Sequence, residues 1–172
     1  MKKVFLGLIM VCISTLLLAA NLQLTATVLD TTYLNNQTKI LGYNLTANLP
    51  NQIIESVTSP NLNKGEVYTY DFKKMKKTTY YPMLDQSVVS NIDAPYIKNV
   101  FDAILLGKVS SSIQLVRGSD SNISKIVIPE QNAFILLSGY SKIGSYAVPN
   151  SIVIYQENSV IEKIDLSNIK IN

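Results

Sequence analysis

Apolar and polar residues alternate along much of the chain after residue 21. The first such run covers residues 22–28, and a second covers residues 40–49. Strict alternation is typical of a strand with one buried face, and Asn35 and Asn36 between the runs favour a tight turn. We therefore predict an N-terminal antiparallel hairpin.

The pattern is more broken between residues 50 and 65, where two prolines and an Asn- and Gly-rich stretch predict a loop. Alternation returns at Glu66, and residues 78–81 could form the hairpin partner of the strand that begins there. One face of that strand is aromatic and is predicted to be buried. Its members are Tyr68, Tyr70 and Phe72.

A helix is predicted over residues 93–106. Asp93 can cap its N-terminus, Pro95 suits its first turn, and Gly107 can end it. Its apolar residues follow helical spacing and form one stripe, which predicts packing on a sheet, with docking to a partner as the alternative. The stripe consists of Ile97, Val100, Phe101, Ile104 and Leu105.

From Val109 onward the chain reads as short strands divided by turns, as in an antiparallel meander. The turns are predicted at residues 118–122, 129–132, 139–141, 149–150 and 157–158. Core candidates are Ile113, Leu115, Ile126, Ile128, Phe134, Leu136, Ile152, Ile154, Val160, Ile164 and Leu166. The predicted fold is mainly β (α+β): an antiparallel sandwich or half-open barrel with one amphipathic helix packed on a sheet.

The first 20 residues have the features of a secretory signal peptide. Lys2 and Lys3 precede an uncharged apolar run over residues 4–18, and small residues follow it. We place the cleavage after Ala20, which leaves residues 21–172 as a single domain. The alternatives are an uncleaved anchor or lipidation at Cys12, although the apolar run continues well past that cysteine.

Cleavage after Ala20 changes the composition of the working protein. It removes the one cysteine and two of the 15 basic residues, so 13 basic residues face 12 acidic ones. A nearly neutral, exported chain is not expected to bind nucleic acid. We predict a periplasmic or secreted protein of a bacterial envelope, with no transmembrane span after cleavage.

The residue types limit the possible chemistry. With no histidine and no mature cysteine, the chain cannot form the usual zinc sites or a Ser-His-Asp or Cys-His pair. No catalytic residue, metal or cofactor is predicted. Paired carboxylates or a Ser-Lys pair remain possible without histidine. The candidates are the Ser-x-x-Lys match at Ser167 and Lys170 and the scattered acids Glu55, Glu66, Asp71 and Asp85.

The most distinctive segment after the leader is residues 68–81, in which four lysines lie between two aromatic clusters. Lysines neutralise anionic groups and aromatic faces stack on sugars, so this hairpin could contact an acidic glycan or lipid headgroup. A solubilising hairpin tip is the alternative. The candidate binding residues are Tyr68, Tyr70, Lys73, Lys74, Lys76, Lys77, Tyr80 and Tyr81.

These observations favour an exported, non-catalytic binding module that contacts a protein or an anionic glycan or lipid surface of the envelope. One alternative is a histidine-independent hydrolase that uses carboxylates or a Ser-Lys pair. A further alternative is a small outer-membrane β-barrel, against which the polar middle and the predicted helix argue.

Overall fold

The computed structural model describes residues 22–35, 37–92 and 95–172. The predicted signal peptide, Asn36 of the first turn and the predicted helix cap Asp93 lie outside these ranges. Within them the chain forms eleven strands and one α-helix, α1 (Tyr96–Leu105). The strands are β1 (Leu22–Leu34), β2 (Gln37–Leu49), β3 (Gln52–Ser59), β4 (Val67–Asp71), β5 (Lys76–Tyr81), β6 (Gln86–Asn91), β7 (Gln114–Arg117), β8 (Ile123–Ile128), β9 (Ala133–Ile143), β10 (Tyr146–Gln156) and β11 (Ser159–Ile171).

All eleven strands belong to one antiparallel sheet with the order β6-β5-β4-β3-β2-β1-β11-β10-β9-β8-β7. The first and last strands pair at its centre, and β6 and β7 form its two edges. The β1–β2, β3–β4 and β5–β6 connections lie at one end of the strands, which we call the upper rim; the β4–β5 turn lies at the lower rim. The prediction of a mainly β fold with one packed helix is confirmed.

The single sheet curls around its own apolar face. Ten inter-strand spacings span about 48 Å, whereas a ten-residue helix is about 15 Å long and 10 Å wide. Even so, the inward side chains of both halves of the sheet form one buried core with α1. The fold is therefore a single open, curved sheet, which corresponds to the half-open barrel of the prediction and not to a two-sheet sandwich.

The predicted N-terminal hairpin is confirmed, with β1 and β2 paired along their whole length. Leu24 lies opposite Ala47, and Ala26 lies opposite Leu45, so the buried positions of the two strands face the same side. Asn35 adopts the left-handed conformation in the turn, with φ of 48°. Asparagine tolerates this conformation well, which explains its place there.

Two strands were not predicted. The inner face of β3 is formed by Ile53, Glu55 and Val57. Because the middle residue is an acid, the sequence of β3 does not show a regular alternation of apolar and polar residues. β6 is exposed at every position, so its sequence carries no alternation at all. A strand is recognisable in a sequence when apolar residues of a buried face alternate with polar ones. Glu55 interrupts this apolar alternation in β3, and β6 has no buried face.

The predicted turns at residues 139–141 and 149–150 are wrong. β9 and β10 run through both segments, and their connection is at Gly144 and Ser145. Gly139 has a φ of 67° and faces Asn150 across the hairpin, where an added Cβ would lie 3.5 Å from the Cβ of Asn150. The turn-forming residues thus allow an irregular position inside a long hairpin instead of ending its strands.

Most predicted core residues after β7 are buried, but Phe134, Leu136 and Val160 are not. A register shift pairs Val160 with Tyr155 of the outer face. Ala133, Ile135 and Leu137 point inward, so Phe134 and Leu136 lie on the outer face. Every residue from 133 to 137 is apolar, and no polar residue marks which positions face the solvent. Phe134 stacks on Tyr155 there, with ring centroids 4.5 Å apart.

The helix prediction is confirmed, with shorter bounds. α1 begins at Tyr96, directly after Pro95, and ends at Leu105, where Gly107 follows with a φ of 61°. Its buried stripe packs on β10 and crosses the lower half of the inner face. At its start, the ammonium of Lys98 lies 4.8 Å from the ring centroid of Phe72, which follows β4.

Phe101 is fully buried at the centre of the helix stripe. We expect Phe101→Ala to lower the free energy of unfolding by about 3–5 kcal/mol, because it removes a large side chain from a packed core. Leu34→Ala at the exposed hairpin tip serves as the control and should change it by less than about 0.5 kcal/mol. Chemical denaturation measures both, and equal effects would contradict the packing of α1 described above.

Candidate functional site

The structure separates the eight predicted binding residues into three environments. β4 and β5 form the expected hairpin, with the turn at residues 72–75. Because strand side chains alternate between faces, neighbours in sequence point to opposite sides of the sheet. Tyr68, Tyr70, Lys77 and Tyr81 face inward; Lys76 and Tyr80 face outward; Lys73 and Lys74 lie in the turn.

The turn and outer residues make local bonds. Oδ1 of Asp71 accepts hydrogen bonds from the backbone N–H groups of Lys73 and Lys74, at 3.1 and 3.0 Å, and the Lys74 ammonium lies 3.0 Å from Oδ2. The Lys74 side-chain hydrogen bond, first among several contacts, lowers the pKa of Asp71. Lys76 donates to Oδ1 of Asn91 at 2.8 Å. Three of the four lysines therefore make contacts within the hairpin or are exposed to solvent at its lower end.

The inward residues form a connected group. The Lys77 ammonium lies 4.8 Å from the ring centroid of Tyr68 and 4.9 Å from that of Tyr70, within range of a cation–π contact. The Tyr70 hydroxyl donates to Oε2 of Glu55 at 3.4 Å, and Glu55 is buried. The aromatic part of the predicted hairpin therefore belongs to the interior of the half-barrel.

Glu55 is one of three acids on this inner face, which we call the inner-face acid cluster: Asp30, Glu55 and Glu162. Asp30 and Glu162 hydrogen-bond to each other across β1 and β11. Burial, the largest cause in each case, raises the pKa of Asp30 to about 6, of Glu55 to about 7 and of Glu162 to about 8. The charge of Lys77 opposes this rise at Glu55.

Sequence reasoning named Glu55 but missed Asp30 and Glu162. Each acid occupies an inward position in an otherwise apolar alternation: Asp30 follows Val28, and Glu162 precedes Ile164. The signal in the sequence for both residues was an acid that alternates in phase with the buried residues of its strand. The other candidate acids, Glu66, Asp71 and Asp85, do not join the cluster; they lie at strand ends and turns with local hydrogen-bond partners.

The cluster can store and exchange a proton, because Asp30 and Glu162 share a hydrogen bond at close range. Glycosidase pairs are separated by about 5 Å or more to admit a sugar or water, whereas the carboxyls of Asp30 and Glu162 are hydrogen-bonded to each other. In the Ser-x-x-Lys match, the Ser167 hydroxyl donates a hydrogen bond to the backbone oxygen of Thr27, at 3.3 Å. Ser167 and Lys170 both lie in β11. Among the described residues no group of acids is arranged to hold a metal ion.

An apolar groove of about 270 Å³ lies at the upper rim, between the β3–β4 and β5–β6 connections. The side chains of Leu62, Met83 and Leu84 line it and are 79%, 85% and 65% exposed. Tyr81 forms its inner wall and also belongs to the inner face of β5. Tyr81 is thus shared by the groove and the inner face of the sheet. Sequence reasoning did not single out these loop residues.

A curved antiparallel sheet with one helix across its inner face is also seen in solved structures. The chain has a LolA-like fold. It is similar to a LolA superfamily protein from Nitrosomonas europaea, with a TM-score of 0.58 at 10% identity over 87% of this chain and 85% of that one. An outer membrane lipoprotein-sorting protein domain from Vibrio parahaemolyticus gives 0.60 at 9% identity, with the same coverage of each chain.

The chain is also similar in fold to a DUF1329 family protein from Desulfovibrio piger, with a TM-score of 0.54 at 8% identity over 88% of this chain and 86% of that one. The chain matches no protein-family model and no curated protein sequence. At these identities the similarity is one of fold. The side chains that fill the inner face and rim are this chain's own.

The inner-face acid cluster makes stability depend on pH. A carboxyl whose pKa is raised in the folded state stabilises the fold when protonated, so this contribution is lost as pH rises from about 4 through about 8. Glu55→Gln has a neutral side chain at every pH, so it should reduce the pH-dependent loss in the free energy of unfolding by about 3 kcal/mol. Glu130→Gln, on an exposed turn, is the control.

Denaturant unfolding at pH 5 and pH 8 measures the effect. The account predicts a flatter profile for Glu55→Gln than for the parent and the control. Parallel profiles for all three proteins would contradict the burial of a titrating carboxyl at residue 55.

Proposed function

We propose that this chain is an exported, non-catalytic binding module of the bacterial envelope that holds the acyl part of a lipid or lipid-modified ligand. The observation that carries the proposal is the apolar groove at the upper rim. Exposed Leu and Met side chains on two adjacent connections form a continuous apolar surface, which is costly to leave in water and suits an apolar ligand.

The charge beside the groove adds a preference for the ligand's polar end. Lys64 and Glu66 both line the groove, but the Glu66 carboxylate already accepts hydrogen bonds from Nδ2 of Asn63, at 3.0 Å, and from the Tyr68 hydroxyl. An ammonium next to an apolar surface favours an acyl chain that ends in a phosphate or carboxylate. We therefore propose an anionic contact at Lys64 of the upper rim, as an alternative to the contact predicted from the sequence at the lysines of the β4–β5 hairpin.

The fold similarity supports the envelope setting of the proposal. One of the similar structures is named an outer membrane lipoprotein-sorting protein domain, and that name joins this fold to lipid-modified ligands. The secretory signal expected over residues 1–20 agrees with a periplasmic location. No helix in the described part of the chain is long and apolar enough to cross a membrane.

Met83 and Met75 provide a matched test of the groove. Both are exposed methionines in turns of adjacent hairpins, but Met83 lines the groove and Met75 lies at the lower rim. Met83→Asp should weaken binding of a fluorescent single-chain phosphatidylglycerol by about tenfold, because it places a carboxylate against the acyl chain. Met75→Asp should leave binding within about twofold of the parent.

Fluorescence titration gives both dissociation constants. Equal losses in the two variants, or no binding by the parent, would contradict acyl binding at the upper rim.

Lys64 and Lys73 distinguish the two possible anion contacts. Lys64→Glu should reduce affinity for the phosphatidylglycerol probe several-fold, and should affect a zwitterionic phosphatidylcholine probe less, because only the first carries net negative charge. Lys73→Glu in the β4–β5 turn is the control. A larger loss in Lys73→Glu than in Lys64→Glu would instead favour the turn lysines as the anionic contact.

A further inference from the structure

The two edges of the sheet are protected to different degrees. β7 has four residues, a register shift at Val116 and Arg117, and a charge at its end, which are common ways to block an edge strand. β6 has six residues in regular register with β5, and its sequence Gln-Ser-Val-Val-Ser-Asn contains no charge and no proline. Every one of its side chains is exposed.

An edge of this kind is a template for another strand. Half of the backbone N–H and C=O groups of an edge strand point away from its one partner and have no ladder bond. Val88 and Val89 add exposed apolar surface on both faces, at 54% and 60% exposure. Among the described residues, no strand pairs with this side of β6. The open edge therefore fits a partner that supplies an extended strand.

We propose that β6 pairs with β6 of a second copy of this chain, in antiparallel orientation about a two-fold axis perpendicular to the sheet. Such an axis keeps the inner faces of both copies on the same side, so paired residues must face the same side. Two central pairs satisfy this requirement: Val88 opposite Val88, or Val89 opposite Val89. The proposal does not depend on the identity of the ligand.

Charge complementarity selects the register centred on Val88. In that register Asp85 of one copy lies opposite Asn91 of the other, and Asn91 already accepts a hydrogen bond from Lys76 at 2.8 Å. At each end of the paired strands, the Asp85 carboxylate of one copy therefore approaches the Lys76 ammonium of the other. Asp85, Asn91 and Lys76 all belong to the outer face, as this approach requires. The register centred on Val89 brings no opposite charges together.

The proposed pairing is closed at two copies. It uses β6 of each copy, and the remaining edge of the enlarged sheet is β7 at both ends, which is short and irregular. An isologous contact of this kind leaves no free copy of the same surface. The product is a dimer in which two half-barrels share one continuous sheet.

Analytical ultracentrifugation at several concentrations tests the proposal. We expect a mass twice that of one chain, and we expect Val88→Lys to weaken the dimer by about tenfold or more, because two like charges meet at the axis. Leu136→Lys, on the outer face of β9, is the control and should remain dimeric. A parent chain that stays monomeric at about 100 µM would overturn the proposal, and so would an unaffected Val88→Lys dimer.

Disulfide trapping tests the register. In the chain of residues 21–172, which contains no natural cysteine, Val88→Cys places two thiols opposite each other, whereas Val89→Cys places its thiol opposite Ser87. On mild oxidation we expect Val88→Cys to form a covalent dimer about tenfold faster than Val89→Cys. Faster trapping of Val89→Cys would overturn the Val88-centred register. Circular dichroism of each variant checks that these exposed substitutions preserve the fold.

Discussion

The structure depends on the burial of one face of a single eleven-stranded sheet. One ten-residue helix is too small to cover that face, and the buried residues of both halves of the sheet belong to one core with α1. The pairing of β1 with β11 at the centre makes this possible, because it joins the two halves into one continuous sheet. The acid cluster lies within the buried part of this face, and the apolar groove lies at its upper rim.

The inner face is not uniformly apolar, because it carries three acids on β1, β3 and β11. Burial of Asp30, Glu55 and Glu162 costs desolvation, which raises the pKa of each carboxyl into the range of about 6 to 8. Tyr70 and Lys77 provide partial compensation through a hydrogen bond and a nearby positive charge. Removing a partner from such a group costs more than the bond itself contributes, so the cluster constrains the packing around it.

The sequence revealed those elements whose burial differs between faces. The β1–β2 hairpin and the stripe of α1 were predictable because Leu24 and Phe101 recur in phase with other buried residues. β6 was not predictable, because an exposed strand carries no alternation, and neither was the orientation of Phe134 within an entirely apolar segment. The eight hairpin residues were correctly placed on two strands and a turn, but alternation within those strands separates them.

Local chemistry in the sequence also could not show which distant residues meet. Asp30 and Glu162 are 132 positions apart in the printed sequence and become neighbours only because the first and last strands pair. The groove residues Leu62 and Met83 meet for a similar reason, since two successive connections lie at the same end of the strands. Topology, which no single segment encodes, therefore determines both the acid cluster and the groove.

The central functional claim is that an acyl chain lies along the inner side of the upper rim. Intermolecular nuclear Overhauser effects between a protonated acyl probe and the tyrosine rings of the otherwise deuterated protein test it most directly. Tyr81 and Tyr80 are adjacent on β5 and face opposite sides of the sheet. The account predicts contacts from the acyl chain to Tyr81 and none to Tyr80. Contacts to Tyr80 or to Tyr155 on the outer face, or no contacts at all, would contradict it.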